Sequence, residues 1–111
     1  MIIGNGLISS VFDKNKKDYE NYLVFASGVS NSKETNEEQF IREKELVLKC
    51  IYENKNLTFL YFSSVLVGIT NNDYYNHKLA MEELIKTVID HLQDNEFDLF
   101  YIVQHSCLQS I

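Results

Sequence analysis

Four side chains in the middle of the chain have the types and the spacing to move a proton. Tyr74 and Lys78 are four residues apart, so on a helix they share a face and the phenol and the ammonium can converge on one point. A tyrosine hydroxyl ordinarily titrates near pH ~10, and a neighbouring cation lowers that value by favouring the phenolate. Ser63 and Ser64 close the apolar run that precedes the pair and can offer a hydroxyl to the reacting oxygen. Hydroxyl, phenol and ammonium together can move a proton on or off a substrate alcohol while a nicotinamide carries the hydride. The bland alternative is a half-buried tyrosine beside a solvated lysine.

A second stretch lies at the start, MIIGNGLIS. A turn that holds a pyrophosphate needs one glycine to leave the strand sharply and another to let the backbone approach the phosphate, with a helix N-terminus behind it. Gly4 and Gly6 fit those two jobs, and Ser9 stands where a third small residue would let helix and strand pack closely. Taken alone, the stretch reads equally well as an ordinary tight turn. FASG, with Ala26, Ser27 and Gly28, admits the same two readings.

The elements that must position these residues alternate. MIIG is a short strand, and GLISSVFDK opens a short helix with Ile8, Val11 and Phe12 on one face. Tyr22 to Ser27 is an unbroken apolar run, as expected of a parallel strand buried on both faces. Thr35 and Glu38 form a capping box for a helix that runs to about Tyr52 with Phe40, Ile41, Leu48 and Ile51 along a stripe. Leu57 to Ser64 is the next strand, and a helix from about Asp73 carries Met81, Leu84, Ile85, Val88 and Leu92. FDLFYIVQ closes the series as a strand. The alternation predicts an α/β fold with a mostly parallel sheet and right-handed crossovers, in which ligands bind beyond the carboxyl ends of the strands.

Composition narrows the function classes. The 111 residues make a single domain, and 45% apolar residues suffice for a real core. A net charge of −6 argues against a nucleic-acid or anionic-membrane surface. No apolar run reaches the ~18 to 20 residues of a membrane span, and no signal peptide is apparent, so a cytoplasmic protein is expected. Cys50 and Cys107 match no metal spacing and read as reduced, buried thiols. His77, His91 and His105 also lack ligand spacing and are assigned no role, so no metal is expected. Lys14, Lys16 and Lys17 read as a solvated turn near the glycine loop.

IIGNGLI, VFASGVSN, YFSS and the Tyr74/Lys78 pair, in that order, resemble the short-chain dehydrogenase/reductases, and within them the extended nucleotide-sugar epimerase/dehydratase type. YIVQHS is similar to the family's next strand. The resemblance implies Ser64 as hydroxyl partner (Ser63 as substitute), Tyr74 as the acid/base, and Lys78 as the group that lowers its pKa and holds the nicotinamide ribose. It implies Gly4, Asn5, Gly6, Leu7 and Ile8 at the pyrophosphate, and Ala26, Ser27 and Gly28 at the adenosine side or the nicotinamide ribose. The family's acidic residue about 20 positions beyond the glycines, which reads the ribose hydroxyl, has no counterpart: Leu23 to Phe25 occupy that distance, so NAD and NADP stay equally open.

The expected fold is a three-layer Rossmann-like unit with a four-stranded sheet in the order 1-2-3-4. Its bare first-strand edge invites a homodimer. Two functions remain: an NAD(P)-dependent oxidoreductase of a nucleotide sugar, or its cofactor-binding part; and a catalytically inactive Rossmann-like remnant that serves as a binding module.

Overall fold

A computed structural model of the protein describes residues 1–4 and 20–92 and the backbone of 100–105. Along the chain run β1 (Ile2–Ile3), β2 (Tyr22–Phe25), α1 (Glu37–Glu53), β3 (Thr58–Ser64), α2 (Asp73–Leu92) and β4 (Phe100–His105). The strands form one sheet in the order β1-β2-β3-β4, and every neighbouring pair is parallel. The α/β class expected from the alternation is therefore present. The helix read from GLISSVFDK and the lysines at 14, 16 and 17 lie outside the described residues.

β2 is the centre of the register. Val24 stands opposite Ile2 on one side and Leu60 on the other, and Leu23, Val24 and Phe25 are all buried. A strand covered on both faces has no use for polar alternation, which is why YLVF is continuously apolar. β1 is short, but the backbone continues its pairing: the Val24 N–H donates to the Met1 carbonyl at 2.8 Å and the Ala26 N–H to the Ile3 carbonyl at 2.7 Å.

Both helices cover the same face of the sheet. Leu23 and Phe25 of β2 and Phe59 and Tyr61 of β3 pack with Val47, Cys50 and Ile51 of α1 and Met81, Ile85 and Ile89 of α2. Among the described residues the sheet and these helices make two layers, and the helix expected after the first strand lies outside them. The shared face of the helices has a topological reason. Each right-handed crossover that steps to the next strand in one direction lays its helix on the same side, and β2-α1-β3 and β3-α2-β4 both step the same way.

The caps differ by one residue from the capping-box reading. Asn36, in an extended conformation, is the N-cap of α1, and its side chain accepts from the Glu38 N–H at 2.9 Å. Asn caps as well as Thr does, so the helix starts behind Asn36, and Glu38 contributes its backbone rather than its carboxylate. For α2, the Asn72 side-chain oxygen accepts from the Tyr75 N–H at 2.8 Å, while its amide donates to the Ser32 carbonyl at 3.2 Å. One side chain thereby starts the helix and ties down the β2–α1 loop.

Candidate functional site

The carboxyl ends of β1, β2 and β3 gather the loops that matter. Gly4, directly after β1, has a φ of +124°, and a Cβ there would lie 2.6 Å from the Ala26 carbonyl oxygen. Two constraints, one on the backbone angle and one on space, each require glycine. Asn5, Gly6, Leu7 and Ile8, expected at the pyrophosphate, lie outside the described residues. Ala26, Ser27 and Gly28 follow β2 and are partly buried.

That loop is gripped from below by two consecutive residues of α1. The Arg42 guanidinium donates to the Ser27 carbonyl at 3.0 Å. The Val29 N–H donates to Glu43 Oε1 at 2.5 Å. Between them, a Cβ on Gly28 would lie 2.6 Å from Glu43 Oε1 and 2.9 Å from Lys78 Nζ, so the charged groups occupy the space a side chain would need.

Glu43 is the centre of a buried charge cluster. Its side chain is fully buried, yet it accepts from four donors: the Val29 N–H and Lys78 Nζ (2.8 Å) at Oε1, and Tyr61 Oη (2.5 Å) and His77 Nε2 (2.9 Å) at Oε2. A carboxylate has about four lone-pair sites, so this one is saturated. Burial alone would push its pKa up. The hydrogen bond from His77, the Lys78 charge and the bonds from Lys78 and Tyr61 overcome that and hold it at about 2. The same burial, with the Glu43 charge alongside, raises the Tyr61 hydroxyl well above its ordinary value. Burial pulls the Lys78 ammonium down, and Glu43 opposes that pull.

The structure brings Tyr74 and Lys78 together. Both are buried on the sheet-facing side of α2, with Lys78 Nζ 5.6 Å from the centre of the Tyr74 ring. Lys78 also reaches across to the sheet, donating to Tyr61 Oη at 3.1 Å and to Glu43. Ser64 is buried at the end of β3, where its Oγ accepts from the Leu66 N–H at 3.3 Å. Ser63 shares the face of Phe59 and Tyr61 and donates to Glu82 at 2.6 Å, and Ser64 is in the opposite phase of the strand.

Glu43, Tyr61 and His77 were not among the residues singled out from the sequence. The signal for Glu43 was there: it lies four residues before Val47 and eight before Ile51, on the buried stripe itself. Ile41, assigned to that stripe, is 48% exposed instead. His77, assigned no role from the sequence, stacks on Phe40 with ring centres 4.4 Å apart and is nearly buried. It sits four residues before Met81, again on the core side.

Among the described residues no group of three or more metal-binding side chains comes together, and no helix is long and apolar enough to cross a membrane. Cys50 is buried in the core, where desolvation raises its thiol pKa; Cys107 lies outside the described residues. No protein-family model, curated protein or solved structure matches this chain.

Proposed function

We propose that the chain is a Rossmann-like NAD(P)-binding unit of the short-chain dehydrogenase/reductase type, from the branch that acts on nucleotide sugars as epimerases and dehydratases. The observation that carries this is Gly4: a left-handed glycine at the carboxyl end of a parallel strand, pressed against the next strand's end with no room for a Cβ. Such a backbone turn is what a pyrophosphate needs in order to approach main-chain N–H groups. The fit rests on this chain's own residues: Gly4 at the turn, and the Ala26–Gly28 loop beside it.

In that setting the dinucleotide supplies hydride transfer. Tyr74 holds or releases the proton of the substrate hydroxyl and Lys78 biases the phenol through its charge, while Ser64, in the opposite phase of β3, would act only from the strand's end. The reduced, buried thiol of Cys50 suits a cytoplasmic enzyme.

One observation favours a second reading, a binding module without turnover. The Lys78 ammonium already serves Glu43 and Tyr61, which leaves it less free to serve a ribose. Titration with NADH and with NADPH, followed by the fluorescence of the nicotinamide, separates the possibilities. Absence of binding of either at millimolar concentration sinks the cofactor reading. With binding present, Tyr74→Phe is expected to abolish oxidation of nucleotide sugars and to leave binding nearly intact. A wild-type chain that binds and turns over none of them is the binding module.

A further inference from the structure

Three independent contacts converge on one short loop. Glu43 Oε1 takes the Val29 N–H, Arg42 takes the Ser27 carbonyl, and Gly28 between them has no Cβ because Glu43 and Lys78 fill that space. We propose that Glu43 is a positioning residue, which sets the conformation of the Ser27–Val29 loop for ligand binding and couples that loop to Lys78 and His77 at the start of α2. This rests on the reading of the loop as part of the cofactor site.

The alternative is that the ion pair exists only to hold the core together. Buried ion pairs are poor devices for that purpose, since well-packed apolar residues of the same volume do as well or better. The neighbours of Glu43 on its stripe are Val47, Cys50 and Ile51, so the helix has no general need of a charge there. What an apolar residue cannot do is accept a backbone N–H from a loop and a proton donor from each of two elements. Glu43 accepts from the loop, from β3 through Tyr61 and from α2 through Lys78 and His77. A carboxylate saturated in this way has no capacity left to act as a base toward substrate. Its function is exerted through the groups it holds.

The test compares wild type with Glu43→Gln in NADH and NADPH titrations, together with hydrogen exchange of the Val29 amide in the ligand-free protein. Glutamine keeps the shape and one acceptor but loses the charge. Loss of a charge-assisted bond predicts Val29 exchange faster by about tenfold or more and nucleotide affinity weaker by a similar factor, with cooperative melting retained. A folded variant with wild-type exchange and wild-type affinity overturns the proposal. Where the wild type binds neither nucleotide, the cofactor reading is what has failed, and positioning of the loop stands or falls on the Val29 exchange rate. Should Glu43→Gln fail to fold, Gly28→Ala perturbs the same contact from the loop side while every charge stays in place. Accelerated Val29 exchange in that variant supports the proposal, and an unchanged rate refutes it.

Discussion

Replacing Lys78 with methionine isolates the energetics of the cluster. The Lys78 stem is largely kept, but Glu43 loses the ammonium 2.8 Å away while remaining shut away from water, its side chain fully buried and that of Lys78 3% exposed. Removing one partner of a buried pair costs about 3–5 kcal/mol, because it strands the other charge. Against a total stability of roughly 5–15 kcal/mol, that is a large fraction. With each kcal/mol worth about 4 °C in a chain of this size, the melting temperature at pH 8 falls by about 12–20 °C. The variant also acquires a characteristic pH response. Without its cation, Glu43 keeps the bonds from His77, Tyr61 and Val29 against the same burial, so its folded-state pKa moves up from about 2. A less depressed value contributes less stability above pH 4.5, and the deficit narrows as pH falls below it. Thermal melts followed by helical circular dichroism at pH 8 and at about pH 3 read both effects. A Lys78→Met melting point within about 2 °C of wild type at pH 8, well under 1 kcal/mol, refutes the reasoning.

Two further outcomes follow from the geometry. Glu43 is held at about 2 against 4.5 for an unperturbed glutamate, a displacement worth about 3 kcal/mol. Because the folded value is depressed, that stability is present above pH 4.5 and is lost as pH falls toward 2; urea midpoints across this range should drop in wild type and drop by less in Glu43→Gln. β1 ends the sheet on one side, and a strand edge is a template for a second chain, so light scattering at high concentration should show self-association; a monodisperse monomer counts against it.

The strands were the most legible part of the chain. YLVF and TFLYFSS are apolar runs of strand length, and each begins within a residue of its expected start. Asp73 opens α2 where expected, since Met81 and Ile85 already mark its buried side. What local pattern concealed was the partner of Lys78. Spacing placed Lys78 beside Tyr74, and the two are indeed neighbours, but Glu43 is 35 residues away in sequence and Tyr61 is 17. No window of helical length contains such a pair. Glu43 was also hidden by its type: a stripe read only from apolar residues passes over a charge that sits on it. The shared face of the helices was legible in principle, because consecutive strand order and right-handed crossovers together leave no other arrangement.

The consecutive strand order has a consequence for any ligand. In parallel α/β sheets the binding crevice opens where successive crossovers reverse direction, so that loops part to either side. β1-β2-β3-β4 contains no such reversal among the described residues: the loops after β2 and β3 lead to helices on the same side. Under the proposed cofactor reading, a nucleotide at Gly4 would lie at the β1 end of the sheet, and among the described residues both helices would stand on one side of it.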